Sequence, residues 1–196
     1  MIKRLSLIFG SKTKAQEIVL LLNNLKDVVR QGFYDAELYK IEKFCRDQHL
    51  CVVQSKFKVL FADDDLYSNK GIRIKENDPR PGMYFVYISK SEEKAWLASY
   101  YEMMNNHHDL GKILGYPPCC VNFFCTNFNA KNSNPQQKPT NAYTNLARRP
   151  QDAVLISHFP CSSNCAPSMA LGKKNLDALH KIDRSRAVEL MDILKV

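Results

Sequence analysis

The sequence predicts an α+β fold in a single domain, with a small central sheet flanked by N- and C-terminal helices. Three observations predict it. Apolar residues recur at helical spacing near both ends of the chain, residues 50–88 are rich in β-branched and aromatic side chains, and capping-box patterns precede the expected helices. We divide the domain into a helical part (1–49), a sheet plus helix (50–109) and a part with two cysteine motifs (110–196).

Two helices are predicted in the first part. The first covers residues 13–31, because Thr13 and Gln16 resemble a capping box and apolar side chains, including Val28 and Val29, recur at helical spacing as far as the glycine at position 32. The second is expected to begin at Asp35, after a short break.

Strands are predicted in the middle part. CVVQSKFKVLFADDD (51–65) alternates at Phe57, Val59 and Phe61, which predicts one long or two short strands. They are expected to end at the three aspartates 63–65, which are typical of a solvated turn. GIRIKE (71–76) is a short strand candidate. MYFVYI (83–88) is apolar nearly throughout, which predicts the central strand.

A helix is predicted after this strand, because Ser89 and Glu92 form a second capping-box pattern. Its large apolar side chains recur at the spacing of a buried face, so we expect them in the core: Trp96, Tyr100, Met103 and Met104.

The composition is that of an ordinary globular protein, with 196 residues, 45% hydrophobic and 24% charged. No apolar run is long enough to cross a membrane, and the N-terminal apolar run is too short for a secretion signal. We therefore expect a cytoplasmic protein. Seven cysteines are an odd number, and a reducing cytosol argues against a disulfide framework.

Charge is concentrated around the cysteine motifs. The chain carries a formal +8, and residues 110–176 contain seven basic side chains against one acidic side chain, Asp152. Such a region favours thiolates and anionic partners such as RNA or a phosphate-bearing ligand, whereas a solvated basic surface is the simpler alternative. The candidate anion-binding residues are Arg148, Arg149, Lys173 and Lys174.

The first cysteine motif is GYPPCCVNFFC (115–125). A proline suits the first position of a helix, so Pro118 predicts a helix that places Cys119 and Cys120 in its first turn, where unpaired N–H groups lower a thiol pKa. Cys125 lies further around such a helix and is the poorer candidate for the same site.

The second motif, His158-Phe-Pro-Cys161-x3-Cys165, repeats this layout. The apolar run 153–156 predicts a buried strand before it, and a helix is expected just after Cys165. Residues 127–150, rich in Asn, Pro and Gln, predict a long loop between the motifs. The chain is expected to end in helices with a break near Asp183.

Two thiolates from each motif, or three with His158, would complete a four-ligand site. The predicted metal ligands are therefore Cys119, Cys120, Cys161, Cys165 and His158, for zinc or an iron–sulfur cluster. The spacing Cys161-x3-Cys165-x2-Ser168 is that of radical S-adenosylmethionine enzymes, but its third position is serine, so we exclude that class.

Other interpretations remain open. The clustered cysteines are also compatible with free thiols packed around an apolar core. An enzyme would use Cys119 or Cys165 as an activated thiolate with His158 as its base, or a metal ion for hydrolysis. A partner-binding scaffold fits the loop and the amphipathic C-terminal segment. The sequence identifies no substrate, reaction or oligomeric state.

Both motifs resemble those of an uncharacterised, mostly archaeal family, domain of unknown function 483, which carries LGYPxCC and HxPCxxxC. The resemblance covers about residues 83–179 and implies the same site residues without implying a reaction. The matching residues are Gly115, Tyr116, Pro117, Cys119, Cys120, Phe123, His158, Pro160, Cys161 and Cys165.

Overall fold

A computed structural model of the chain describes residues 1–61, 71–129, 132 and 141–195. The chain forms two compact units. The cysteine unit comprises Met1–Leu20 and Tyr116–Val196, and the sheet unit comprises Leu21–Gly115. The predicted aspartate turn at 63–65 lies outside the described residues.

The described elements are helices and strands in the first half of the chain and helices in the second. The helices are α1 (Ile2–Phe9), α2 (Lys12–Leu22), α3 (Asp35–Asp47), α4 (Glu92–Met103), α5 (His107–Ile113), α6 (Pro118–Asn127), α7 (Ala166–Ile182) and α8 (Arg184–Leu194). The strands are β1 (Val28–Phe33), β2 (Cys51–Phe61), β3 (Gly71–Lys75) and β4 (Met83–Ser89). Two short 3-10 helices cover Ala142–Thr144 and Leu146–Gln151.

The four strands form one antiparallel sheet in the order β1-β4-β2-β3. The predicted strand MYFVYI is β4, an interior strand of the sheet. It lies between β1 and β2, which are consecutive in the sequence and are connected by α3. Consecutive residues of β4, Val86, Tyr87 and Ile88, are all buried, so both faces of the strand are covered there, which explains its nearly continuous apolar sequence. The predicted α+β class is therefore confirmed, whereas the division of one domain at residues 49 and 109 stays a prediction.

The predicted helix 13–31 is wrong in its second half. Helix α2 ends at Leu22, Asn24 adopts a left-handed φ of 59°, and Val28 begins β1. Val28 and Val29 pair with the end of β4 and are fully buried. Asparagine tolerates the left-handed conformation that stops a helix, and two adjacent valines gain more from a sheet than from a helix.

The predicted core face of α4 is also wrong. Trp96, Tyr100, Met103 and Met104 are exposed, and the helix instead buries Ala95, Ala98 and Glu102. The two small alanines allow close approach to neighbouring elements, and Glu102 is held there by two arginines.

Glu102 connects the two edge strands of the sheet. Its carboxylate accepts hydrogen bonds from Arg30 of β1 and from Nη2 of Arg73 of β3, the latter at 2.9 Å. Each guanidinium also lies over a phenylalanine ring, Arg30 at 3.8 Å from Phe85 and Arg73 at 4.3 Å from Phe57. Burial raises the pKa of Glu102, but the two guanidinium charges outweigh it and hold that pKa below its ordinary value.

In the cysteine unit, an acidic side chain connects distant segments. Asp152 accepts hydrogen bonds from the backbone N–H of Lys12 and, at 2.8 Å, from that of Thr13, and so caps α2. The buried Arg186 of α8 donates to the Asp152 carbonyl. The single acid among the basic residues 110–176 therefore has a structural role.

The buried strand predicted at 153–156 is not a strand. These residues are buried, as expected, but their backbone is irregular. Side chains replace the missing strand partner, since Gln16 donates to the Val154 carbonyl at 3.1 Å and Asn175 to the Leu155 carbonyl at 2.8 Å. Such long-range hydrogen bonds leave no pattern in the local sequence.

Other predicted elements agree with the structure. Helix α3 begins at Asp35, α6 begins at Pro118, and Asp183 separates α7 from α8. Among the helices that the structure describes, none has the length and apolar character needed to cross a membrane.

We predict that Glu102→Gln lowers the free energy of unfolding by about 3 kcal/mol at pH 7, because it leaves two arginines without their carboxylate. Urea denaturation measures the change. Since the pKa of Glu102 is lowered in the folded protein, the carboxylate contributes fully above about pH 5, and the difference between variant and parent shrinks as the pH falls below about 4.

Asp47→Asn is the matched control, because Asp47 pairs with Lys43 while both side chains are more than half exposed. Such surface pairs contribute about 0.5 kcal/mol or less. An equal loss in both variants would contradict the role given to Glu102.

Candidate metal centre

The first cysteine pair lies in the first turn of α6. Pro117 has an extended ψ of 135° and precedes Pro118 at the first helical position, so the helix begins there. The backbone N–H of Cys120 donates to the Pro117 carbonyl at 2.9 Å. This turn carries Cys119 and Cys120 at the positive end of the helix dipole.

The second pair lies where an irregular segment enters α7. Cys165 is the N-cap residue of α7, and its backbone N–H donates to the Ser162 carbonyl at 3.1 Å. Cys161 lies four residues earlier, and its backbone N–H donates to the Cys120 sulfur, with N and Sγ 3.4 Å apart. That hydrogen bond joins the second motif directly to the first.

The four cysteines meet as the two motifs predicted. The ligand atoms of Cys119, Cys120, Cys161 and Cys165 all lie within 4.8 Å of one another. The Sγ–Sγ distances are 3.5 Å from Cys120 to Cys165, 3.7 Å from Cys119 to Cys165 and 3.9 Å from Cys119 to Cys120. This group can hold a metal ion.

Hydrogen bonds surround the buried side of the group. The Ser168 hydroxyl lies 3.1 Å from the Cys120 sulfur and 2.8 Å from Nε2 of the buried His158. The ring of Tyr116 packs against the His158 ring with centroids 5.1 Å apart. A chain of polar contacts thus runs from His158 through Ser168 to Cys120.

The thiols differ in their tendency to ionise. Burial raises the pKa of Cys120 well above its ordinary value and that of Cys161 to about 11. Burial acts on Cys165 in the same direction, but Ser168 and the neighbouring thiols stabilise its thiolate and lower its pKa to about 7. Cys120 and Cys161 must therefore release protons when they bind a metal ion, which couples metal affinity to pH.

Two cysteine-motif residues lie outside the four-sulfur group. His158 contacts the group through Ser168, so the structure places it behind the cysteines, and its role as a metal ligand stays a prediction. Cys125 is exposed on α6, in keeping with its lower rank among the candidates.

The candidate anion-binding residues lie on two elements of the cysteine unit. Arg148 and Arg149 belong to the 3-10 helix Leu146–Gln151, and Lys173 and Lys174 are exposed on α7. Both elements pack on one apolar cluster, to which Leu146 belongs and which Leu171 contacts.

Ser168 is a residue of the site that the sequence motifs did not indicate. It occupies the third position of the Cys-x3-Cys-x2-Ser spacing, where it served to exclude one enzyme class. In the structure it is fully buried and contacts both His158 and Cys120. A serine three residues after a cysteine at a helix start lies on the same face as that cysteine, and this spacing is the signal that could have identified Ser168.

No protein-family model, no curated protein and no solved structure matches the chain. The resemblance to the archaeal family therefore stays a prediction.

We predict that Ser168→Ala weakens metal binding about 10- to 100-fold, because residues that hydrogen-bond to metal ligands typically have effects of this size. Competition with a chromophoric chelator measures the affinity. Ser162→Ala is the control, since the Ser162 side chain is exposed and its backbone carbonyl is unchanged by the substitution. Equal affinities of the two variants would contradict the role of Ser168.

Proposed function

We propose that this chain is a zinc-binding protein in which four cysteine thiolates hold one ion and the surrounding basic unit binds RNA. The sulfur distances carry the first half of the proposal. Zinc bound to four thiolates at about 2.3 Å requires sulfurs about 3.8 Å apart in a tetrahedron. The Sγ–Sγ distances of 3.5, 3.7 and 3.9 Å support that geometry.

The same distances favour a single ion over an iron–sulfur cluster. A cluster contains several iron atoms bridged by sulfide, and its bulk separates the protein thiolates further than one ion does. With all four ligand atoms within 4.8 Å of one another, the group supports one metal ion better than a polynuclear cluster.

The role we propose for the ion is structural. Four protein ligands complete the coordination of zinc, as in structural sites. The ion would fasten the start of α6 to the segment that leads into α7, so its binding energy would contribute to folding. The site needs reduced thiols, which agrees with the predicted cytoplasmic location.

We predict that the chain, purified without chelators, contains about one zinc per chain, and that Cys120→Ser and Cys165→Ser lose it and lower the melting temperature. Elemental analysis, acid-labile sulfide assay and thermal denaturation test this. Cys125→Ser is the matched control, since Cys125 is exposed and outside the group.

If the purified chain contains iron and a stoichiometric amount of acid-labile sulfide, the site holds an iron–sulfur cluster and the zinc proposal is wrong. A chain free of metal would contradict both and favour the partner-binding scaffold.

The second half of the proposal rests on how charge is divided between the units. By sequence, the cysteine unit contains 14 lysines and arginines against 6 aspartates and glutamates, a net charge of +8. The sheet unit contains 14 of each and is neutral. All of the formal charge therefore lies in the unit with the candidate metal centre, which supports an anionic partner for that unit.

We predict that the chain binds single-stranded RNA at low salt and that replacing four basic residues of the cysteine unit by glutamine weakens this binding. Replacing four phosphate contacts should reduce the slope of log K against log salt by up to about 3, at about 0.7 per contact. Fluorescence anisotropy at several salt concentrations measures this. The residues changed to glutamine are Arg148, Arg149, Lys173 and Lys174.

A fourfold variant of the sheet unit with the same loss of charge is the control. It changes to glutamine four exposed residues, Lys40, Lys43, Lys56 and Lys75. A similar slope in both variants would show general electrostatic attraction instead of a binding face, and no binding at low salt would rule out RNA.

A further inference from the structure

The four cysteines of the candidate metal centre differ in their access to solvent. Cys120 is 2% exposed and Cys165 is 5% exposed, so both are effectively closed to reagents. Cys161 is partly exposed, and Cys119 is exposed at the start of α6. A reagent that approaches the group from solvent therefore meets Cys119 first.

Their sulfurs also differ in hydrogen bonding. The Cys120 sulfur accepts from the Cys161 backbone N–H and lies 3.1 Å from the Ser168 hydroxyl, and Ser168 also stabilises the Cys165 thiolate. The Cys119 sulfur lies 3.9 and 3.7 Å from the sulfurs of Cys120 and Cys165 and also interacts with the Cys161 thiol. Donors that stabilise a thiolate lower its nucleophilicity, so the buried sulfurs are the less reactive ones.

We propose that Cys119 is a metal-activated nucleophile that accepts an alkyl group from a carbon electrophile with an anionic leaving group. This inference rests on the proposed zinc site, in which cysteine binds the ion as a thiolate, and on the exposed position of Cys119 within the four-sulfur group. It adds a group-transfer activity to a site whose proposed role is structural.

The step balances without another reactant. A lone pair of the Cys119 sulfur forms the new S–C bond, the bond from carbon to the leaving group breaks, and that group departs as an anion with the bonding pair. Nothing is oxidised or reduced, and the thiolate has no proton to lose. The product is a thioether at Cys119.

Charge favours this reaction at this place. Four thiolates around one divalent ion carry a net charge of −2, and conversion of one thiolate to a thioether reduces it to −1. Because the partner sulfurs are buried, this relieves repulsion that water screens poorly. The net +8 of the cysteine unit also attracts an anionic leaving group.

Iodoacetamide is the probe, applied to the full chain loaded with zinc at pH 7, with the modified residues identified by peptide mass spectrometry. Cys125 is the internal reference, because it is exposed on the same helix but outside the group. A zinc-bound thiolate needs no deprotonation before it attacks carbon, although coordination lowers its nucleophilicity. We expect Cys119 to be modified about tenfold faster than Cys125.

Zinc is measured in the same sample, which separates the two proposals. Cys119→Ser should abolish the fast modification, whereas Cys125→Ser should retain it. One zinc per chain with Cys119 no faster than Cys125, or with Cys161 modified first, would overturn the nucleophile and leave the zinc site intact. A sample that takes up no zinc would overturn both.

Discussion

The contact among four sulfur atoms is the constraint on which the cysteine unit depends. The described residues between α6 and Cys165 form two short 3-10 helices, an isolated bridge between Asn129 and Asn132, and otherwise irregular backbone. Among the described residues of this segment, regular hydrogen bonding contributes little to position. The hydrogen bond from the Cys161 N–H to the Cys120 sulfur and the sulfur contacts between Cys120 and Cys165 connect its end to α6. A bound ion would convert these weak contacts into strong ones.

Electrostatics explains why the sulfurs lie where they do. Cys119 and Cys120 occupy the first turn of α6 and Cys165 caps α7, so two helix N-termini, each with partial positive charge, meet at one group. The excess of basic residues in the unit acts in the same sense. Burial opposes ionisation, as the raised pKa of Cys120 indicates. A cation among the sulfurs would resolve this conflict, since it permits thiolates in a buried position.

Local signals predicted much of this chain, and long-range contacts account for the errors. Pro118 and the residues around Cys165 specify helix starts by local chemistry, so the four-cysteine group was predictable. Val28 joins a sheet because β4 is available to pair with it, and the segment 153–156 is held by Gln16 and Asn175. None of these three partners is a neighbour in the sequence. Glu102 shows the same limit, because the arginines that make its burial possible lie on two distant strands.

The closed geometry of the group also bears on what chemistry the site can perform. Hydrolysis at zinc needs an open position for water, whereas four cysteine sulfurs within 4.8 Å of one another would fill the coordination of a tetrahedral ion. Reaction at an ion bound in this way would therefore occur on one of the cysteines. Two of the four cysteines are buried and held by Ser168, and Cys161 donates its backbone N–H to one of them. Cys119 is the exposed one of the four, so on the proposed mechanism the reactivity of the group would fall on that sulfur.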